Sequence, residues 1–197
     1  MSRRRGLLVL FARAPRLGAV KRRLAREVGD AAALRFHRAM LDSLARRLGR
    51  DRRWRTVLAV TPDRARFPSP LPKVPQGRGD LGERMARALA RHRRRAVLVG
   101  SDIPGIRAAD IAAAFRALDG GAGAVFGPAE DGGYWLVGLG PRRPADPFRG
   151  VRWSGPHALT DTLANCRGRR VALLRGLRDV DDAADLAAWR AAGGSRG

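Results

Sequence analysis

The residues best suited to phosphate chemistry follow the first apolar segment of the chain. Residues 7–12 are apolar, and the segment behind them contains Gly18 and the cations Arg13, Lys21 and Arg23. Ligands of α/β sheets bind beyond the carboxyl ends of the strands, where cations and free backbone N–H groups suit a diphosphate. Lys21 is one of only two lysines among 40 basic residues, which indicates an ammonium that a guanidinium does not replace. The alternative is a solvated basic loop in an arginine-rich protein.

A glycine-rich segment at residues 76–83, Gln-Gly-Arg-Gly-Asp-Leu-Gly-Glu, is the second candidate site. Its three glycines match the spacing of the dinucleotide-binding fingerprint, so a hydride-transferring enzyme is one interpretation. The fingerprint should follow a buried strand, whereas residues 68–75 carry four prolines, which remove backbone donors. A simpler interpretation makes Asp80 the N-cap of a helix, with Glu83 completing a capping box.

Asp102 is the candidate metal ligand. It follows the apolar segment 96–100 and precedes an Ile-Pro dipeptide. An aspartate at the end of a buried strand can hold a hard divalent cation, which takes its remaining ligands from water and substrate phosphate. Alternatively, Asp102 caps the next turn. The histidines add no metal-ligand spacing, and His37 lies on the apolar face of a predicted helix.

Carboxylates and aromatic rings gather at the start of another predicted strand. Glu130 and Asp131 precede two glycines, and Tyr134 and Trp135 follow them. Such a cluster can form a polar pocket with an aromatic wall, and a carboxylate there can take a proton from an acceptor hydroxyl. A hairpin turn at Asp-Gly is the alternative. The aspartates of residues 179–185 are interpreted mainly as helix caps.

The elements that must position these residues alternate along the chain, which is typical of an α/β sheet covered by helices on both faces. Strands are predicted at 7–12, 56–60, 96–100, 122–126, 134–139 and 171–174. Helices are predicted from the N-cap Asp30 to a stop at Gly49, and at 80–92, 110–118, 157–165 and 182–191. The prolines after residue 62 predict an irregular, extended connection. No repeat or linker divides residues 1–197, so we expect a single domain with its core at about 7–190, a short basic N-terminus and a flexible Gly-rich C-terminus.

Charge invites a nucleic-acid interpretation, because the formal net charge is +22. The arginines, however, are dispersed along the whole chain, and aromatic residues make up only 6%. We therefore expect no specific nucleic-acid partner, and only weak binding that does not depend on nucleic-acid sequence.

No apolar run approaches the roughly 20 residues of a membrane span. The basic and apolar N-terminus imitates a signal peptide, but Arg13 and Pro15 occupy the cleavage region. A single cysteine fits a reducing compartment, and the expected location is the cytoplasm.

The order of these motifs resembles one bacterial family. The matching segments are Phe-x-Arg-x-Pro-x-x-Gly-x-Val-Lys-x-Arg-Leu, Gln-Gly-x-Gly-Asp-Leu-Gly-Glu-Arg-Met, Gly-Ser-Asp-Ile-Pro-Gly, Gly-Pro-Ala-Glu-Asp-Gly-Gly-Tyr-Trp-Leu-x-Gly and Asp-Val-Asp-Asp. The family comprises small GT-A-fold transferases described as arsenosugar-biosynthesis glycosyltransferase-like, and the resemblance runs over about residues 7–186. More distantly, the chain is similar to 2-phospholactate guanylyltransferase and the molybdenum-cofactor guanylyltransferases.

The resemblance implies a single-domain α/β nucleotide-diphospho-sugar transferase fold, GT-A and Rossmann-like, with a mostly parallel central sheet. By position, it implies phosphate binding by Arg13, Lys21 and Arg23; base or ribose contacts by Gln76, Gly79 and Asp80; metal binding by Asp102; and acceptor contacts by Asp131 and Trp153. The residues themselves add Gly18 to the phosphate loop, Glu130 to Asp131 as a catalytic carboxylate, and Tyr134 to the acceptor side. The family usually has threonine where this chain has Arg22. If that hydroxyl helps to bind phosphate, the phosphate loop of this protein is altered.

The predicted function is a metal-dependent transfer from a nucleotide-activated donor. Glycosyl transfer from a nucleotide sugar to a small hydroxyl acceptor, with Mg²⁺ or Mn²⁺, ranks first. A nucleotidyltransferase that uses a nucleoside triphosphate and releases pyrophosphate ranks second. A non-catalytic nucleotide-binding protein and an NAD-dependent oxidoreductase remain as further alternatives. The acceptor-side carboxylates favour a hydroxyl acceptor, because a phosphate acceptor would need cations in their place.

Overall fold

The computed structural model describes residues 5–191. The predicted basic N-terminus falls mostly before residue 5 and the predicted Gly-rich C-terminus after residue 191, so both lie outside the described residues except for Arg5. Within that range, no helix is long and apolar enough to cross a membrane.

Seven strands and six helices alternate along the described residues. They are β1 (Gly6–Arg13), α1 (Arg22–Val28), α2 (Asp30–Gly49), β2 (Trp54–Thr61), β3 (Lys73–Pro75), α3 (Leu81–Ala90), β4 (Ala96–Gly100), α4 (Ala108–Asp119), β5 (Ala124–Pro128), β6 (Tyr134–Leu139), α5 (Ala158–Asn165), β7 (Val171–Leu173) and α6 (Ala183–Ala191). All the predicted strands and helices form, with ends shifted by at most two residues.

Two elements were not predicted. The helix α1 is only seven residues long and buries a single side chain, Leu24, so it carries almost no periodic pattern. The strand β3 ends in Pro75 and pairs only with β2, at the edge of the sheet. A proline can occupy an edge strand because the side facing away from the sheet needs no donor. The proline-rich connection therefore contains a short strand.

The seven strands form one sheet in the order β3-β2-β1-β4-β6-β5-β7. The strand β6 runs antiparallel to β4 and β5, and the other pairs are parallel. This confirms the predicted α/β fold with a mostly parallel sheet flanked by helices. The apolar faces of α2 and α4 cover one side of the sheet, and those of α3 and α5 cover the other.

The sheet has a topological switch point at β1. The chain runs from β1 outward to β2 and β3, and then returns to β4 on the opposite side of β1. In open α/β sheets, ligands bind in the crevice at the carboxyl ends of the strands at such a point. The segments after β1 and β4, which contain Lys21 and Asp102, therefore border the same crevice.

Two helix ends differ from the prediction. Asp30 is the first residue of α2 and Gly29 precedes it as the N-cap, while Gly49 is the last helical residue. Gly29 has φ +84°, a conformation that glycine adopts at little cost, so it can join α1 to α2 directly. The N-cap of α3 is as predicted: Asp80 accepts a hydrogen bond from the Glu83 amide, and the Glu83 carboxylate accepts one from the Asp80 amide.

Candidate active site

Lys21 lies beside Asp102 at the crevice. Its side chain is only 4% exposed, and its Nζ lies 3.0 Å from Asp181 Oδ1 and 3.4 Å from Asp102 Oδ2. The residue adopts a left-handed backbone conformation, with φ 48° and ψ 50°, immediately before α1. That conformation is strained for a residue with a side chain, and such strain tends to occur where function requires it. A buried ammonium needs paired carboxylates, and both partners here are part-exposed toward solvent.

Asp181 and Asp179 are site residues that the sequence interpretation missed. Asp181 reaches Lys21 across 160 residues of sequence, and Arg23 Nη1 lies 3.8 Å from its other oxygen. Burial raises the pKa of Asp179 to about 6, the charges of Asp181 and Asp131 add to the rise, and Lys21 opposes it. The aspartates further along cap α6 as predicted: the Asp185 carboxylate accepts from two backbone amides, and the Asp182 carboxylate accepts from the Asp185 amide.

His37 lies between the carboxyl end of β1 and the segment that follows β4. Its ring is 3% exposed, and Nε2 lies 3.0 Å from the carbonyl oxygen of Arg13. Because a carbonyl oxygen only accepts, Nε2 carries the proton and donates this hydrogen bond. The other ring nitrogen, Nδ1, has no hydrogen-bond partner among the described residues and lies 3.7 Å from Asp102 Oδ1. The helical pattern around His37 predicted its burial but not its proximity to Asp102.

A cavity of about 320 Å³ opens beside these residues. Arg13, His37, Gln76, Asp102 and Tyr134 contribute to its walls. Arg13 is exposed at the end of β1, so its guanidinium can move toward a ligand. Gly18 lies in the exposed segment between β1 and Lys21, with φ +69°. Of the predicted phosphate ligands of the first loop, Arg13 lines this cavity with Asp102, Lys21 contacts Asp102, and Arg23 lies near Asp181.

Gln76 lies in the wall of this cavity with its side chain already bonded. Its Nε2 donates to the carbonyl oxygens of Ala12 and Ala59, and its Oε1 accepts from Arg84. It therefore holds together the ends of β1 and β2. Asp80 is exposed and occupied as a helix cap. That Gln76 and Asp80 contact the base or ribose of a bound nucleotide therefore remains a prediction.

The glycines after Gln76 do not form an open cradle. A Cβ on Gly79 would meet the Glu83 carboxylate, which closes the space beside that backbone. Gly82 lies in α3 and packs closely against Phe148 and Trp153. The segment also follows the edge strand β3 rather than a buried central strand. These three observations favour helix capping and packing over a dinucleotide site.

The acceptor-side carboxylates lie on a tight turn between β5 and β6. Asp131 is exposed, and its Oδ1 accepts a hydrogen bond from the Gly133 amide. Gly132 has φ +81°, and a Cβ there would collide with the carbonyl oxygen of Pro156. The turn is therefore fixed against the loop before α5. Glu130 points outward, and its Oε2 lies 3.9 Å from Arg178 Nε.

Tyr134 and Trp135, the two rings of the predicted aromatic wall, both line the cavity, and Tyr134 also contacts Trp153, the other predicted acceptor-binding residue. The rings of Tyr134 and Trp153 meet edge to face with centroids 6.4 Å apart. Burial raises the pKa of Tyr134, so its hydroxyl stays protonated at neutral pH. Trp153 is followed by Ser154, whose φ of +64° makes it, with Lys21, one of two non-glycine residues with positive φ among residues 5–191. One strained position is thus a predicted ligand-binding residue, Lys21, and the other directly follows one, Trp153.

Asp102 could supply one carboxylate ligand to the predicted divalent cation. Its carboxylate is half-exposed and borders the cavity. Among residues 5–191, no three His, Cys, Asp or Glu side chains are arranged as a complete metal cage. The site therefore suits an ion that binds one or two protein ligands and completes its shell with water and phosphate oxygens.

The fold is shared with a solved structure from Desulfovibrio desulfuricans G20, described as a "putative nucleotide-diphospho-sugar transferase". The two chains are 29% identical with a TM-score of 0.87, and the match covers 97% of this chain and 89% of that one. A hypothetical transferase from Thermus thermophilus is 18% identical over 93% of this chain and 99% of its own, with a TM-score of 0.49. A Mycobacterium tuberculosis H37Rv protein is 17% identical over 95% and 98%, with a TM-score of 0.47.

None of the curated proteins matches this chain. A family model does match, over residues 40–155, which is more than half of the sequence. This match includes α3, β4, Asp102 and the turn that carries Asp131. The chain therefore belongs to the family described as "uncharacterized protein conserved in bacteria" (DUF2064).

Proposed function

We propose that this protein transfers a sugar from a nucleotide-sugar donor to a hydroxyl group of a small acceptor. The observation that carries the proposal is the buried Lys21 ammonium, paired with Asp102 and Asp181 at the switch point of the sheet. A point charge fixed in that crevice suits a diphosphate. The name and similarity of the Desulfovibrio protein support a nucleotide-sugar donor.

On the donor side, the bond between the anomeric carbon and the β-phosphate oxygen breaks. The electron pair stays on that oxygen, so the leaving nucleoside diphosphate gains negative charge. Lys21, with Arg13 and Arg23 from the same segment, can stabilise this charge by preorganised electrostatics. Asp181 holds the ammonium in place until the diphosphate arrives.

Asp102 would hold the divalent cation beside Lys21. When bound, such an ion neutralises charge on the diphosphate and orients it. Lys21 lies on the Oδ2 side of the Asp102 carboxylate, so Oδ1 remains available. The chain's own part is therefore to supply one fixed carboxylate and one fixed ammonium to the same phosphates.

On the acceptor side, Asp131 is the candidate proton acceptor. As the acceptor oxygen bonds to the anomeric carbon, its hydroxyl proton passes to the carboxylate, which is positioned by the Gly133 amide. Tyr134 and Trp153 offer an aromatic face to the apolar side of a sugar or acceptor. Glu130 adds a second negative charge nearby.

One observation favours nucleotidyl transfer as the second candidate. Arg178 lies near Glu130, so a cation is present on the acceptor side, where a phosphate acceptor would need one. Its guanidinium is also bonded to Asp185, however, which offsets its charge. The carboxylates therefore outweigh the cation, and glycosyl transfer ranks first.

The released product decides between the two reactions. Wild-type protein is incubated with Mn²⁺, a bacterial small-molecule extract as the source of acceptors, and radiolabelled nucleotide sugars or nucleoside triphosphates. We expect a nucleoside diphosphate from one nucleotide sugar, released about 100-fold more slowly by Asp131→Asn. Pyrophosphate from a triphosphate, with no diphosphate from any nucleotide sugar, would make the protein a nucleotidyltransferase.

A further inference from the structure

The unpaired nitrogen of His37 points at the carboxylate proposed to hold the metal. His37 is 3% exposed, and its Nδ1 lies 3.7 Å from Asp102 Oδ1 with no hydrogen-bond partner among the described residues. Because Nε2–H donates to the Arg13 carbonyl, Nδ1 of the neutral ring presents a lone pair. Such a lone pair and a carboxylate oxygen repel each other across this gap unless a proton on Nδ1 or a metal ion lies between them.

Lys21 does not supply a positive charge between these two atoms. Its ammonium lies on the far side of the carboxylate, 3.4 Å from Oδ2, and its shorter contact is to Asp181. Oδ1 and Nδ1 are thus left facing each other. A hydroxyl of Ser101 reaches Oδ1 only at 3.4 Å, and it can be displaced by rotation about one bond.

The separation fits two ligands of one metal ion. Metal–nitrogen and metal–oxygen bonds of about 2.1 Å to atoms 3.7 Å apart enclose an angle of about 120°. The second ring nitrogen provides independent support, because a metal-binding histidine usually donates its other N–H to a backbone carbonyl or a carboxylate. Here that acceptor is the carbonyl oxygen of Arg13, at the end of β1.

We propose that His37 Nδ1 and Asp102 Oδ1 together bind the divalent cation, so that the site selects Mn²⁺ or Co²⁺ over Mg²⁺. An imidazole ligand suits transition ions, whereas Mg²⁺ prefers oxygen ligands and retains its waters. Two protein ligands leave the remaining positions to water and to the donor diphosphate. The inference rests on the proposed function only for the identity of that diphosphate.

The test is pulsed electron paramagnetic resonance of Mn²⁺ bound to the full-length protein, first alone and then with a nucleoside diphosphate. We expect ¹⁴N coupling from a directly bound nitrogen in wild-type protein, replaced by ¹⁵N coupling when the histidines are ¹⁵N-labelled. His37→Gln should abolish the coupling and weaken Mn²⁺ binding about 10- to 100-fold. Its side-chain amide can still donate to the Arg13 carbonyl, which preserves the local fold.

His92→Gln is the matched control and should keep the coupling, since His92 lies at the opposite end of the sheet. Mn²⁺ binding without nitrogen coupling would overturn the inference, as would coupling that survives in His37→Gln, or a failure of Mn²⁺ to bind with or without the diphosphate. The labelled wild-type protein gives this answer even if the variant fails to fold. Failure of the diphosphate to bind, with nitrogen coupling intact, would instead count against the proposed function.

Discussion

Two cavities at opposite ends of the sheet differ in how their charges are held. The larger, about 800 Å³, lies at the amino ends of β1 and β2, and the smaller, about 320 Å³, lies at the carboxyl ends of β1 and β4. The larger cavity is lined by five exposed arginines: Arg5, Arg50, Arg52, Arg55 and Arg91. Its one lining carboxylate, Asp51, is bonded to Arg53.

The comparison distinguishes arginines that are merely numerous from charged side chains that neighbouring residues hold in fixed positions. The arginines of the larger cavity make no ion pair with another described residue and can turn into solvent, as expected where arginine is the common residue. Beside the smaller cavity, the side chains of Lys21 and His37 are almost fully buried, and Asp102 and Asp181 fix the ammonium. Burying a charge is costly unless it is paired. Such an arrangement therefore indicates a site better than cavity size or net charge does.

The largest effect is expected from Lys21→Met. Without the ammonium, the leaving diphosphate loses a preorganised charge, and kcat/KM should fall by about 100-fold or more. Lys73→Met is the control, because the chain's other lysine is exposed and lies over the ring of Phe67. Steady-state kinetics of both variants measures the difference, and equal effects would remove Lys21 from the site.

Asp131→Asn should come next. The amide keeps the turn but cannot take the acceptor proton, so kcat should fall about 100-fold while the dissociation constant of the donor stays within about twofold. Asp146→Asn is the control, since Asp146 is an exposed aspartate in the loop after β6 with no assigned role. Donor binding that weakens as much as turnover would assign Asp131 to the donor side instead.

Gln76→Leu tests the difference between the two ends of the sheet by its effect on the free energy of unfolding. The variant removes the two hydrogen bonds that Gln76 Nε2 donates to the carbonyl oxygens of Ala12 and Ala59, and the free energy of unfolding should fall by about 1–3 kcal/mol. Thr56→Val, at the opposite end, should cost under about 1 kcal/mol, because Trp54 Nε1 still donates to the Leu48 carbonyl. Urea unfolding measures both, and an unchanged stability in Gln76→Leu would contradict its assigned role.

The smallest effect is expected when Arg52 and Arg55 are both changed to glutamine. Binding to DNA or RNA should stay weak and sequence-blind and fall only severalfold, because arginines elsewhere on the surface carry most of the attraction. Titrations at several salt concentrations check this, with a slope reduced by about two. Complete loss of binding, or a tight sequence-selective complex, would make the larger cavity a nucleic-acid site.

The sequence predicted the sheet well because its strands are continuous apolar segments and its long helices are amphipathic. It could not predict α1, which buries only Leu24, or β3, which ends in a proline. At the site, the segment after β1 and Asp102 were predicted from their place after buried strands. The burial of Lys21 and its pairing with Asp181 could not be predicted, because Asp181 lies 160 residues away in the sequence.

His37 and the aspartates of residues 179–185 illustrate the same limit of prediction from sequence: contacts between distant segments. His37 was interpreted as a core residue, and its burial is real, but the position of Nδ1 opposite Asp102 depends on how α2 crosses the ends of β1 and β4. The aspartates of residues 179–185 were interpreted as caps, which holds for Asp185. Asp181 instead pairs with Lys21, a contact that only the packing of α6 on α1 and α2 produces.

Titration calorimetry with nucleoside diphosphates and Mn²⁺ tests the central claim most directly. Wild-type protein is compared with Lys21→Met and with the double Arg52→Gln, Arg55→Gln variant. We predict that one diphosphate binds the wild type and the double arginine variant with affinities within about twofold, and binds Lys21→Met at least about tenfold more weakly. Unchanged binding by Lys21→Met, with binding lost in the arginine variant, would place the nucleotide in the larger cavity and contradict the account.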